Sequence, residues 1–149
     1  MKKIDLIIFD LDGTLADIDH RLQFIEKKPK DWPSFFSACS FDKPIWPNIL
    51  LAQRLMASQY VSVHIWTGRN EDVRKTTEVW LWQYELRHYD ELKMRKSGDR
   101  RLDHIVKSEW LDKLPKGEWP DIVFEDRDSV VNMWRSKGIT CYQVAPGDF

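Results

Sequence analysis

Only two cysteines, Cys39 and Cys141, occur in the 149 residues of the chain. They stand far apart and neither sits in a paired spacing, which excludes a disulfide scaffold and a paired-cysteine metal or redox module. Free, structural thiols are expected. No apolar run approaches the ~20 residues that a membrane-spanning helix needs. The stretch Met1-Lys2-Lys3-Ile4-Asp5-Leu6 runs straight into Asp10 and is too short and too acidic for a signal peptide, so a cytoplasmic protein is expected. An excess of one charge is also missing: 23 Lys and Arg against 24 Asp and Glu give a net charge of -1. Any grip on a polyanion must therefore come from a local patch. No Gly-rich loop ending in Gly-Lys-Ser/Thr occurs, and neither do repeats, low-complexity tracts or linkers.

The composition that remains is ordinary: 42% hydrophobic and 32% charged residues describe a globular chain long enough for one core. Eight tryptophans stand out, and core packing is the expectation for most of them.

Leu6-Ile7-Ile8-Phe9 is a nearly continuous apolar run, the pattern of a strand buried on both faces of a parallel sheet. Further strands are predicted at Val61 to Trp66, closed by Thr67-Gly68-Arg69, at Ile122 to Phe124, followed by Glu125-Asp126, and at Ile139 to Val144; Leu92 to Met94 is a shorter one. Helix patterns cover Asn48 to Ser58, Glu71 to His88, Leu102 to Leu111 and Ser129 to Lys137, with Gly138 ending the last. Strand and helix alternation predicts an α/β, doubly wound, mainly parallel sheet. Such sheets bind ligands at the carboxyl ends of their strands, where three of these runs end in polar, chemically capable residues. The stretch 16–44 breaks the alternation. It carries His20, Arg21, a Lys27-Lys28-Pro29-Lys30 cluster and Trp32, Phe35 and Phe36, and reads as an insertion over the site. Those aromatics either pack a small core beneath it or grip a substrate strand. The basic segment Lys93 to Arg101 reads equally as a solvated loop or a substrate-facing one.

Asp10 and Asp12 alternate at the end of the first strand, before the turn-permitting Gly13. Two carboxylates so placed suit a hard cation such as Mg²⁺. One can attack phosphorus while the other moves the leaving group's proton. Taken alone, the pair reads as a turn that caps a helix.

The assembly decides between these readings. Ile7-Ile8-Phe9-Asp10-Leu11-Asp12-Gly13-Thr14-Leu15 resembles the first signature of the haloacid dehalogenase-type phosphohydrolase superfamily, Thr67 its second, Lys107 its third and Glu125-Asp126 its fourth, in the family order. The resemblance implies a single phosphohydrolase domain over 1–149 with 16–44 as a small cap-like insertion. The segment Gly98 to Lys107 and the ending from Glu125-Asp126-Arg127 to Phe149 look like the phosphatase half of bacteriophage polynucleotide kinase-phosphatases. That resemblance implies a Mg²⁺-dependent phosphatase that removes 3′-phosphates from polynucleotide ends or nucleoside 3′-monophosphates, inside the cell that a phage infects. Asp10, Asp12 and Lys107 would be catalytic. Thr67, Gly68, Arg69, Arg21 and Lys107 would hold phosphate, with Asp103 and Glu125 supporting. Asp10, Asp12 through its carbonyl, and Asp126 would hold the metal.

Family members usually carry two aspartates where this chain has Glu125-Asp126. With no kinase loop in the sequence, a standalone phosphatase working beside a separate kinase or ligase is expected. The competing readings are a 5′(3′)-nucleotidase acting on free mononucleotides, a phosphorylation-controlled receiver domain and a non-catalytic binding module.

Overall fold

The computed structural model describes residues 6–148; Met1 to Asp5, part of the N-terminal stretch weighed above, and Phe149 lie outside the described residues. β1 (Leu6–Phe9) is followed by a short β2 (Ala16–Asp17), helices α1 (Asp19–Glu26) and α2 (Trp32–Ser37), a 3-10 turn, and β3 (Lys43–Pro44). Helix α3 (Trp46–Met56), with Pro47 in its first turn, leads into β4 (Ser62–Asn70). Then come α4 (Arg74–Gln83), β5 (Glu91–Arg95), α5 (Asp103–Asp112), β6 (Ile122–Glu125), α6 (Asp128–Ser136) and β7 (Thr140–Gln143).

Five strands form one parallel sheet in the order β5-β4-β1-β6-β7, so β1 occupies the centre and is paired on both edges. Its burial on both faces follows from that position. Ile7 and Phe9 join Val63 and Ile65 on one face, beneath Ile49 and Ala52 of α3 and Trp80 and Leu81 of α4. Leu6, Ile8, Trp66 and Val123 line the other, beneath Leu111 of α5 and Val130, Val131 and Trp134 of α6. The period-two alternation of a strand thus feeds two cores, each sealed by helices, and the doubly wound architecture is as expected. Trp66, Trp80 and Trp134 are fully buried, Trp110 and Trp119 partly so, while Trp32, Trp46 and Trp82 are exposed. Both cysteines are free and buried.

The largest departures from the sequence pattern fall at two boundaries. β4 continues past Trp66 to Asn70, because Thr67 still pairs with Met94 and Asn70 with Arg95 across a register shift. A bulge of this kind re-aims the side chains beside it. Helix α4 ends at Gln83 and does not reach His88; Glu85 takes a left-handed φ of 59° and the amide of Leu86 returns to the Leu81 carbonyl, which turns the chain toward β5. Within 16–44, α1, α2 and the antiparallel β2–β3 pair stand outside the main sheet. Phe35 is buried there, with Trp32 and Phe36 packed against it at ring separations of 5.6 and 5.4 Å.

Candidate active site

All five main strands run parallel, so their carboxyl ends share one edge. Asp10 follows β1 there, Thr67 to Arg69 close β4, Arg95 closes β5, and Glu125 and Asp126 close β6. The amide of Asp10 donates to the Phe124 carbonyl at 2.9 Å, which extends the β1–β6 pairing and fixes the start of the loop. The loop then winds tightly, with the amides of Leu15 and Ala16 returning to the Leu11 carbonyl at 2.8 and 2.9 Å. Gly13 adopts φ +85°, and a Cβ placed on it would fall 2.6 Å from Asp126 Cγ. Glycine is therefore required both for the turn and for the close approach of Asp126.

Lys107 is the centre of the first charged cluster. It lies one turn after Asp103 on α5, so the two share a helix face. Its Nζ donates to Asp10 Oδ1 at 2.6 Å and Glu125 Oε2 at 2.8 Å, and lies 3.1 Å from Asp103 Oδ2. Carboxylate oxygens of Asp10, Asp103 and Glu125 all fall within 4.8 Å of one another, the spacing of a metal cage. The cation inside that cage is the Lys107 ammonium. Burial opposes its charge, but Asp10, Asp103 and Glu125 together hold it well above the usual lysine range. Asp103 is also tied to Arg95 Nη2 at 3.1 Å, and Gly68 makes room for it, since a Cβ there would meet Asp103 Oδ1 at 2.7 Å.

The second cluster joins Asp12 to two arginines. Arg21 Nη2 and Arg69 Nε reach Asp12 Oδ1 at 2.7 and 2.8 Å. Both guanidiniums are fully buried, whereas the Asp12 side chain keeps 21% of its surface exposed. Burial works against ionised Asp12, but Arg69 and Arg21 overcome it and hold its carboxyl at about 2. Thr67 is buried beside them, its hydroxyl accepting from the Arg69 amide at 3.2 Å.

The sequence reading passed over Asp42. Buried between β3 and the preceding 3-10 turn, it accepts from Arg21 Nε at 2.8 Å, Arg21 Nη2 at 2.7 Å and Arg69 Nη2 at 2.6 Å. As a single Asp in Phe41-Asp42-Lys43-Pro44 it carries no periodic or motif signal. Arg95 was also missed as a distinct residue. Counted within a basic loop, it is in fact a buried strand end bonded to the carbonyls of Gly68 and Arg101. That loop is largely neutralised: Lys93 lies over the Trp66 ring at 4.5 Å and near Glu91, and Arg101 pairs with Asp99 and Glu109. Among the described residues, Lys96 and Arg100 are its cations without an ion pair.

The charge balance around Asp10 fits a divalent cation. Burial, Glu125 and Asp103 raise Asp10 well above the carboxylate range despite Lys107. Burial, with Asp10 adding to it, pushes Asp126 up to about 6, and burial pushes Glu125 up to about 7. Hard oxygen donors with surplus negative charge are the donor set that Mg²⁺ prefers. Asp12 Oδ1 is committed to the two arginines.

The sequence profile described as the polynucleotide kinase PNKP phosphatase domain matches residues 4–149. Among solved structures, a chain of the "Pnkp1/Rnl/Hen1 RNA repair complex" is 30% identical, with a TM-score of 0.81 over 100% of this chain and 45% of that one. A second structure of the Pnkp1/Rnl/Hen1 complex gives 30% identity and 0.79 over 98% and 47%. This chain therefore spans less than half the length of those relatives. A haloacid dehalogenase-like hydrolase from Streptococcus pneumoniae, 18% identical with a TM-score of 0.64 over 96% of this chain and 85% of that one, shares the fold.

Proposed function

The chain belongs to the family of polynucleotide kinase PNKP phosphatase domains, of haloacid dehalogenase-like fold, and from that premise we propose that it is a Mg²⁺-dependent phosphatase acting on 3′-phosphates of polynucleotide ends through an aspartyl-phosphate. The observation that carries this reading is that each carboxylate of the Asp-x-Asp loop meets its own buried cations: Asp10 is bonded to an ammonium, Asp12 to two guanidiniums. Phosphoryl transfer needs a positioned nucleophile, a proton donor and fixed positive charge around the equatorial oxygens.

In this reading an Asp10 oxygen forms the bond to phosphorus as the ester oxygen leaves, and Asp12 gives that oxygen its proton. Water then attacks the acyl phosphate, returns a proton to Asp12 and releases orthophosphate with Asp10 restored. Lys107 holds Asp10 in position and offsets charge on the phosphoryl group. Arg21, Arg69, Thr67 and the Gly68 backbone line the phosphate site. As phosphate oxygens draw on the two guanidiniums, Asp12 is relieved of the charge that keeps it ionised and takes up, from water or from a singly protonated phosphate monoester, the proton it then gives to the leaving oxygen. Asp103 and Glu125 orient Lys107. Asp10, the Asp12 carbonyl and Asp126 would hold Mg²⁺, which supplies charge to neutralise the phosphate. We take residues 1–149 as one phosphohydrolase domain and 16–44 as its cap, since Arg21 and Asp42 both come from that stretch. The 30%-identical relatives come from a Pnkp1/Rnl/Hen1 RNA repair complex, which supports a nucleic-acid substrate and a ligase or other partner for this chain.

The test is to assay a 3′-phosphorylated oligonucleotide beside nucleoside 3′- and 5′-monophosphates with Mg²⁺. Highest kcat/KM on the oligonucleotide supports end processing, and preference for the 5′-monophosphate overturns it in favour of a nucleotidase.

A further inference from the structure

The main chain around Asp126 is gripped by a segment that no step above uses. β7 pairs with β6 in parallel as far as Glu125 and Gln143, and the chain beyond it returns to the loop that follows β6. The amide of Val144 donates to the Glu125 carbonyl at 3.0 Å. Gln143 Nε2 donates to the Asp126 carbonyl at 2.9 Å and to Asp128 Oδ1 at 2.6 Å. The Asp128 amide, the first of α6 and without a partner inside the helix, donates to the Gly147 carbonyl at 2.7 Å. Gly147 is buried against the same backbone: a Cβ on it would fall 2.0 Å from the Asp126 carbonyl oxygen and 2.6 Å from Arg127 Cα. Gly13 thus meets the side chain of Asp126, while Gln143 and Gly147 meet its main chain.

We infer that Gln143 and Gly147 are positioning residues for the metal site, which clamp the main chain of Glu125 to Asp128 and so keep the Asp126 carboxylate presented to Mg²⁺. This rests on the metal assignment within the phosphatase reading above. The loop needs such a clamp. Asp126 stands one residue past the end of β6, beyond the reach of strand pairing. Among the described residues no ion pair ties its carboxylate, so the side chain goes where the backbone puts it. Gln143 grips two points of the loop at once, since its amide nitrogen bonds both the Asp126 carbonyl and the Asp128 carboxylate. Gly147 is needed for closeness: any side chain there would push the two backbones about 1 Å apart. Neither residue touches a reacting atom, and both act through Asp126.

The experiment uses the full chain with Gly147→Ala, with Gln143→Leu, which removes both hydrogen bonds, and with Gln143→Glu, which keeps the shape and turns the donor into an acceptor. Each is read for Mg²⁺ binding by calorimetry without substrate, for the rise in Tm that Mg²⁺ gives over chelator, and for kcat/KM on the 3′-phosphorylated oligonucleotide across Mg²⁺ concentrations. Mg²⁺ affinity is expected to fall about 10–100-fold in each, the scale of losing a group that orients a metal ligand. The Tm rise should shrink, and the loss of activity should be largest at low Mg²⁺ and be partly recovered at high Mg²⁺. Should Gly147→Ala fail to fold, the Gln143 variants carry the same readouts, because that side chain is exposed and its replacement leaves the core intact. Wild-type Mg²⁺ affinity and Tm rise in all three variants would overturn the inference. So would a loss of activity that is equal at every Mg²⁺ concentration with Mg²⁺ binding unchanged. A wild-type chain that binds Mg²⁺ but hydrolyses no phosphate ester would overturn the phosphatase reading alone, since the binding readouts need no substrate.

Discussion

Replacing Gly13 with alanine separates two effects that a second glycine lets one measure independently. Gly13 and Gly98 have nearly the same backbone conformation, φ +85° and +81°, yet a Cβ on Gly98 meets nothing within 4 Å, while one on Gly13 falls 2.6 Å from Asp126 Cγ and closer still to Oδ2. Gly98→Ala should cost only the left-handed strain, about 1–2 kcal/mol. For a chain of this size that lowers Tm by about 3–8 °C. Gly13→Ala carries the same strain and also forces the Asp126 carboxylate to withdraw by about 1 Å to reach van der Waals distance. A displacement of that size in a carboxylate proposed to hold Mg²⁺ is expected to reduce kcat/KM by about 10²-fold. Raising Mg²⁺ should recover part of the loss. Thermal melts and Mg²⁺ titrations of activity on both variants make the comparison. If Gly13→Ala melts like Gly98→Ala and retains wild-type activity and Mg²⁺ dependence, Asp126 is not held in a functional position by Gly13, and the assigned metal site is wrong.

Lys107→Met should be among the most damaging substitutions, because it leaves Asp10, Asp103 and Glu125 facing one another; a buried pair broken on one side costs about 3–5 kcal/mol, read by urea unfolding. The same carboxylates set the pH dependence. With Glu125 raised to about 7 and Asp126 to about 6, the folded chain holds protons more tightly than the unfolded one, so in chelator stability falls as pH rises from about 5 to 8. Mg²⁺ should flatten that fall, and a pH-independent stability in chelator would contradict it. Asp12, held near 2, acts in the opposite sense: its stabilisation is present above about pH 4 and is lost as pH drops toward 2. Removing Lys96 and Arg100 together should raise KM and reduce the salt dependence for an oligonucleotide while leaving a mononucleotide unaffected. Equal effects on both substrates would assign those charges no role in strand binding.

The alternation of apolar strand runs with helix patterns made the sheet legible, because burial on both faces of β1 removes the polar residues an exposed strand would show. Asp10, Thr67 and Glu125 were legible by the same logic, as polar residues closing such runs. Arg95 also closes a strand, but its neighbours Lys93, Lys96, Arg100 and Arg101 gave it the look of a solvated loop. Only the sheet order, which pairs β5 with β4, turns it inward. The end of α4 carries no glycine or proline, and the left-handed position falls on Glu85, so the sequence has no mark where the helix stops. Asp42 was hidden for a different reason. Its importance lies in contacts with Arg21 and Arg69, 21 and 27 residues away, and no local pattern encodes those distances.

In the proposed mechanism Asp10 accepts the phosphoryl group. Acid-quenching the enzyme during turnover of a 3′-phosphorylated oligonucleotide, followed by peptide mass spectrometry, should find phosphate on Asp10 and on no other residue, and Asp10→Asn should show neither adduct nor turnover. Wild-type turnover in the Asp10→Asn variant would contradict the account.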